Sequence, residues 1–226
     1  MQLEVQHLSK VYPKNRGLQA TSFSVAQGEL VAVVGHNGAG KSTLLKLLGG
    51  WLVPDAGRVR VNGISLDNRL ILAPQIGFVP EAPNLFDVFS VEYNLTLFAR
   101  LFRISETRVD EVLHEFNLLE FRRSKVQNLS KGLKQRVSIG RSLIAEPPLL
   151  LFDEPTSGLD FDMTREIHAL LKKFHASGKT ILFTSHRPED IKTLATRILV
   201  LHQGALVFDG PPTEYFESHV HLKLYA

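Results

Sequence analysis

The chain has 226 residues, 44% of them hydrophobic and 22% charged, with a formal net charge of +3 and no cysteine. That length and balance fit one large globular domain or two small ones and exclude a disordered chain. Without cysteine there are no disulfides, thiolate metal sites or cysteine nucleophiles; the charge is too small to demand a nucleic-acid or membrane-surface partner, and no apolar run reaches the ~18–20 residues that cross a bilayer. The opening residues, MQLEVQHLSK, have no charged segment followed by an apolar run, so no signal peptide is expected.

In chain order, Leu3–Leu8 and Gln19–Val25 alternate in part and are predicted as strands near a sheet edge. Leu30–Val34 is a continuous apolar run that ends at glycine, as in a strand buried on both faces. Residues 35–43 then read GHNGAGKST. Gly35, four residues, Gly40, Lys41 and Ser42 match a phosphate-binding loop, and the setting matches too, with a strand before it and a helix predicted over Lys41–Leu48 after it. Gly38 and Gly40 let backbone N–H groups close round a phosphate without a side-chain clash, and the helix start aims its positive dipole end at the same place. Lys41 is read as a point charge for the β and γ phosphates and Ser42 as a hydroxyl for Mg2+. Gly178-Lys179-Thr180 repeats the ending of this motif, but position 173 is lysine and a strand comes next, so it is rejected.

Arg58–Val61 reads as a short strand closed by an Asn62-Gly63 turn, and Ile76–Val79 as another. From about Pro83 to Glu146 the pattern turns helical. Thr107 with Asp110 reads as a capping box ahead of Val109, Val112, Leu113 and Phe116 at helical spacing. Six of the 14 phenylalanines lie between Phe86 and Phe121. They are expected as the core of a helical subdomain, and the sharper reading gives some of them to a docking surface for a partner helix.

Leu149–Glu154, LLLFDE, ends a buried strand in two acids, at the edge where open α/β sheets bind ligands. Asp153 is placed to hold Mg2+, and Glu154 to orient an attacking water or accept its proton. Met163, Ile167, Leu170, Leu171 and Phe174 mark a helix face that ends near Gly178. A strand at Thr180–Thr184, a helix at Pro188–Leu194 and a hairpin of Ile198–Leu201 with Ala205–Phe208 across Gln203-Gly204 complete the pattern. It predicts a single α/β domain over residues 1–226 with a helical insertion at about 83–146.

Asn128–Arg136 reads NLSKGLKQR, and DEPTSGLD at 153–160 and TSH at 184–186 come after it. In this order they resemble the signature, carboxylate strand, D-loop and switch histidine of ABC-type ATPases, and the resemblance covers essentially the whole chain. It implies an α/β P-loop fold with a RecA-like core, an N-terminal antiparallel β region and an inserted helical subdomain. It further implies that Tyr12 stacks on adenine, and that Ser130 and Gly132 contact the γ-phosphate of ATP held by a second protomer. Ser130 is at the same time a good N-cap. By the same resemblance Asp160 crosses the dimer interface, and His186 touches the γ-phosphate and orients Glu154. Where the family usually has glutamine, the segment GFVPEAPNLF places Glu81, which is expected to bind Mg2+ or water; Gln75 precedes the strand and cannot substitute.

The expected ATP contacts are therefore Tyr12, Gly35, Asn37, Gly38, Ala39, Gly40, Lys41, Ser42, Thr43, Glu81, Ser130, Gly132 and Asp160. The expected Mg2+ ligands are Ser42, Asp153 and Glu81, and the catalytic groups Lys41, Glu154 and His186. Glu81, with Lys131 and Leu133 in the signature, is similar to the ABC-2-type exporter ATPases and favours export over import. The resemblance implies an ATP-hydrolysing subunit paired with a second ATPase protomer, homo- or heterodimeric. It would dock on a separate transmembrane permease at the cytoplasmic face of the membrane, with no nucleic acid expected. The stretch between Glu81 and Phe102 is expected to receive a short coupling helix, with Pro80–Pro83 as a hinge. The alternative is a soluble ABC ATPase of DNA repair or translation, chains that typically carry coiled-coil insertions or two cassettes in tandem. A catalytically inactive module is disfavoured because Glu154 and His186 are both present.

Overall fold

A computed structural model describes residues 2–13 and 16–217. The chain begins with an antiparallel pair, β1 (Leu3–Tyr12) and β2 (Arg16–Val25), then enters β3 (Leu30–Val34) and helix α1 (Lys41–Leu48). A hairpin of β4 (Ala56–Val61) and β5 (Ile64–Ser65), a short helix α2 (Arg69–Leu72) and β6 (Ile76–Val79) come after α1. Helices α3 (Val91–Leu101), α4 (Thr107–Glu115) and α5 (Lys131–Ser142) are next. The remainder runs β7 (Leu149–Phe152), α6 (Phe161–Ala176), β8 (Thr180–Ser185), α7 (Pro188–Leu194), a β9 (Arg197–His202)–β10 (Ala205–Gly210) hairpin and α8 (Pro212–Glu217).

The strands form two sheets. One is antiparallel, in the order β2-β1-β4-β5; the other runs β10-β9-β3-β8-β7-β6, parallel throughout except for β10. Strands β3, β7 and β8 are buried at every position, which is why β3 and β7 read as continuous apolar runs. Their side chains divide by the strand's two-residue period into two cores. Leu30, Ala32, Val34, Leu150, Phe152, Ile181 and Phe183 face a core shared with Leu95 of α3, Val112 of α4, Val137 of α5 and Leu171 of α6. Val31, Val33, Leu149, Leu151 and Leu182 face the other way, onto Leu44, Leu45, Leu47 and Leu48 of α1. Leu3, Val5 and Val59 of the antiparallel sheet close that second core from its far side. Helix α1 is thus held between two sheets, and the loop in front of it inherits that rigidity.

Both predicted two-residue turns are present, and each uses left-handed backbone: Asn62 (φ 51) with Gly63 (φ 77), and Gln203 (φ 49) with Gly204 (φ 83). Other expectations need correction. Strand β1 continues past Leu8 to Tyr12, because His7 adopts φ 48 and shifts the register on both partners, so the alternation breaks inside the strand. The capping box is not formed. Thr107 lies inside α4, no side chain caps that helix, and it is Ser105 Oγ that accepts from the Thr107 N–H at 3.3 Å. The phenylalanines divide between core and surface. Phe116 is buried and Phe98, Phe102 and Phe121 pack against the core, whereas Phe86 and Phe89 are 44% and 43% exposed.

Leu45 is fully buried between the sheets. Leu45→Ala is expected to lower stability by about 2–5 kcal/mol, the range for deleting a buried leucine side chain, read as a lower denaturation midpoint in urea.

Candidate functional site

The parallel strands β3, β8, β7 and β6 are neighbours, and their carboxyl ends lie along one edge of the sheet. The segments leaving these strands therefore arrive at the same place: residues 35–40 after β3, His186 after β8, Asp153 and Glu154 after β7, and Glu81 after β6.

Glycine is required in the first of these segments. At Gly40 φ is 102, and a Cβ would stand 2.5 Å from the Gly17 carbonyl oxygen; at Gly35 it would stand 2.4 Å from that of Leu201. Helix α1 begins directly after Gly40, so its first-turn N–H groups point where an anion would sit. Lys41 is 7% exposed. Its ammonium donates to the Gly35 carbonyl at 2.7 Å and stands 3.6 Å from Glu154 Oε1.

The carboxylates are held from helix α1 and strand β8. Ser42 Oγ donates to Asp153 Oδ1 at 3.0 Å, and Thr184 Oγ1 donates to the same oxygen at 2.8 Å. Thr184 Oγ1 also accepts from the Glu154 N–H at 2.7 Å. Glu154 itself has φ 47, a left-handed conformation that costs a non-glycine residue on the order of 1–3 kcal/mol. Its carboxylate lies against His186, with Nδ1 to Oε2 at 3.0 Å. Basic, acidic and imidazole groups thus meet where the loop presents N–H donors. That arrangement can bind a polyphosphate and orient a water beside it.

One cavity of about 560 Å³ contains most of the expected residues: Tyr12, Asn37, Gly38, Ala39, Gly40, Lys41, Ser42, Thr43, Glu81, Glu154 and His186 line it. Gly35 and Asp153 lie behind its wall, acting through the bonds above. Arg16, Gly17 and Ser157 line it as well. Sequence reading missed them; Arg16 and Gly17 reach the loop through the β1–β2 pairing, and Ser157 lies inside a motif already read, where its hydroxyl donates to Glu81 Oε1 at 3.1 Å. Gln75 is not part of the lining and pairs with Asn62 at 3.3 Å.

Ser130, Gly132 and Asp160 do not line this cavity. Ser130 caps α5, accepting from the Leu133 N–H at 3.3 Å, and Asp160 caps α6, accepting from the Met163 N–H at 2.8 Å. Gly132 is buried against Met163, whose Cε a Cβ would meet at 2.5 Å. Lys131 donates to the Ser157 carbonyl at 2.9 Å, which ties the start of α5 to the segment behind β7.

A second, larger cavity of about 640 Å³ opens elsewhere, lined by Trp51, Phe78, Asn84, Phe86, Phe98, Phe102 and Arg141 among others. Burial lowers the pKa of Arg141 to about 10, still well above neutrality, and its guanidinium sits 4.9 Å from the Phe98 ring centroid.

Comparison with known proteins gives concordant matches. The family model described as ABC transporter matches residues 18–157. The Nod factor export ATP-binding protein I of Rhizobium sp. (strain N33) is 38% identical over 225 residues, covering 96% of this chain and 73% of that protein. The protein of the same name from Rhizobium meliloti (strain 1021) is 38% identical over 217 residues, covering 93% of this chain; the chain spans 64% of that relative's length. Among solved structures, an ATP-binding subunit of an ABC transporter superposes with a TM-score of 0.85 at 33% identity, over 99% of this chain and 94% of its own. An ATP-binding cassette solved as a dimer in a post-hydrolysis state with ADP and Pi gives 0.83 at 28% identity, over 92% and 98%.

The Thr184 hydroxyl satisfies two buried groups at once. Thr184→Val keeps the shape and removes the hydroxyl, so it is expected to cost about 1–3 kcal/mol of stability, the penalty for leaving a buried donor unmade, measured by chemical denaturation.

Proposed function

The chain belongs to the ABC transporter family as an ATP-binding, ATP-hydrolysing cassette, and from that premise we propose that it powers export through a separate membrane-spanning subunit. The observation that carries this reading is the convergence of Lys41, Ser42, Asp153, Glu154 and His186 at one edge of the sheet, around a cavity with Tyr12 at its rim. Tyr12 is 38% exposed and offers a ring face to adenine. The 35–43 loop and the start of α1 hold the phosphates by backbone N–H groups. On binding, Lys41 exchanges its contacts with Gly35 and Glu154 for phosphate oxygens. Glu154 then orients the attacking water and accepts its proton, while His186 holds the Glu154 carboxylate and reaches the γ-phosphate.

Mg2+ fits the donors present. Ser42 and Asp153 offer hard oxygens in contact with each other, and Glu81 lines the same cavity. When bound, the ion supplies neutralisation of the phosphate charge.

Ser130, Gly132 and Asp160 lie outside the cavity of their own chain, which supports a role on the nucleotide of a second protomer; so does the dimeric relative. Phe161, beside Asp160, is 73% exposed. The name of the Rhizobium relatives supports the export direction for this chain. Among the described residues no helix is long and apolar enough to cross a membrane. In this proposal the transport path belongs to another chain, and this one works at its cytoplasmic face. Residues 83–146 form the helical unit of a single cassette, and its cavity with Trp51, Phe86, Phe98 and Phe102 takes a short helix of that membrane subunit, hinged at Pro80–Pro83.

Glu154→Gln is expected to reduce ATP turnover by at least about 10²-fold, as for loss of a general base, while ATP binding persists and an ATP-dependent dimer accumulates on size exclusion. Turnover at the wild-type rate would remove Glu154 from the chemistry. Because the chain has no native cysteine, a single cysteine at Phe86 gives a clean crosslinking probe. In membranes it should join to the membrane subunit, and crosslinks only from sites outside this cavity would reject the docking face.

A further inference from the structure

Asp190, on α7, is 1% exposed and does not line the cavity. Its carboxylate nevertheless gathers three hydrogen-bonding partners from outside its own helix. Thr156 Oγ1 donates to Oδ2 at 2.6 Å and Ser185 Oγ donates to the same oxygen at 2.8 Å. On the other side, His168 Nε2 of α6 lies 2.7 Å from Oδ1.

The places of these donors in the chain are what matter. Thr156 lies two residues after Glu154, and Ser185 immediately precedes His186. The Ser185 hydroxyl also accepts from the Arg187 N–H at 3.0 Å, so the backbone is fixed on both sides of His186. The segment carrying Glu154 and the segment carrying His186 are therefore tied to one oxygen of one buried carboxylate. The 3.0 Å contact between Glu154 and His186 is made across that tie, by a glutamate whose left-handed backbone needs an external restraint. Burial alone would raise the Asp190 pKa; hydrogen bonds from His168, Thr156 and Ser185 hold it below the usual carboxylate range. The group is thus an ionised acceptor at neutral pH, the form that makes its strongest hydrogen bonds.

We propose that Asp190 is a positioning residue for ATP hydrolysis: it holds the Glu154 and His186 segments in register so that the two side chains meet, and His168 fixes the plane of its carboxylate. The proposal rests on Glu154 and His186 acting as the hydrolytic pair.

The test compares Asp190→Ala, Asp190→Asn and Glu154→Gln in the full chain, by steady-state ATP turnover below the unfolding midpoint of every variant. Asp190→Ala is expected to lower kcat about 10–100-fold, the scale of a misplaced catalytic group, with KM for ATP within about twofold of wild type. Asp190→Asn keeps an oxygen for Thr156 and Ser185 and turns its amide to His168, whose ring nitrogen accepts in the other tautomer, so it should recover most of kcat. A wild-type kcat in Asp190→Ala with only a lower unfolding midpoint would reduce Asp190 to a structural role. Equal losses in kcat and in nucleotide affinity would mean general damage to the cavity and also overturn the proposal. Should Asp190→Ala fail to fold, Thr156→Val and Ser185→Ala each remove one tie. Reduced kcat at unchanged KM in both is the expected result, and wild-type kcat in both is the contrary one. If Glu154→Gln retains wild-type turnover, the underlying assignment fails; if Glu154→Gln is inactive while Asp190→Ala is unimpaired, the positioning role alone fails.

Discussion

Asp153 Oδ1 accepts from Ser42, at the start of α1, and from Thr184, near the end of β8, while Asp153 itself closes β7. This one oxygen joins the ends of the phosphate-binding segment, the carboxylate segment and the histidine segment, and the rest of the site is arranged around it. The junction is possible because β3, β8 and β7 are parallel neighbours, so that their carboxyl ends come out side by side. An antiparallel order would send alternate strand ends to opposite edges and scatter the same residues. The Thr184 hydroxyl then passes the restraint on, since it also takes the Glu154 N–H and holds a strained glutamate in place. Fold and chemistry share a single set of hydrogen bonds here.

What could be read from the sequence was what is contiguous in it. The loop at 35–43 carries its own chemistry in nine residues, and the acids of LLLFDE and the histidine of TSH stand next to the strands that deliver them. The buried strands were legible because a strand covered on both faces has no polar side to interrupt the run. What joins distant segments was not legible. Thr184 lies 31 residues from Asp153, and Ser42 lies 111 residues from it. No local pattern marks a threonine in an apolar strand as the junction of both. Asp190 and His168 read as ordinary polar residues of two helices, and only packing brings them together. Arg16 and Gly17 enter the cavity through strand pairing beyond the bulge at His7, the same irregularity that cut short the reading of β1. The capping box failed for a related reason: spacing shows what a threonine is able to do, whereas here its N–H is claimed by Ser105, ahead of where the motif places the helix start.

The two cores give the faces of the central sheet different mechanical characters. On one side α1 is clasped between sheets, with Leu44, Leu45, Leu47 and Leu48 all buried, so the anion-binding loop rests on packed hydrocarbon. On the other side, helices α3 to α5 reach the sheet through one apolar core, while Phe86 and Phe89 ahead of α3 and Tyr93 and Leu101 on it are substantially exposed. The loop at 35–43 sits over the packed half and the exposed aromatics over the other. The two halves are connected through Glu81, Ser157 and Lys131, whose hydrogen bonds run from the cavity to the segment that Ser130 caps.

Lys41 adds a consequence of a different kind. Its ammonium and the Glu154 carboxylate are 7% and 10% exposed, and the lysine already rests on the Gly35 carbonyl. The protein therefore keeps its own counter-charges in the seat that a triphosphate would take. Filling that seat would exchange one set of buried partners of the lysine for another, against the cost of taking the triphosphate out of water. Dissolved ions screen exposed charges far better than buried ones, so the Lys41–Glu154 pair itself is little weakened by salt. What that pairing contributes depends on how closely Glu154 approaches the lysine, so a shift of the glutamate's backbone would be felt at the ammonium.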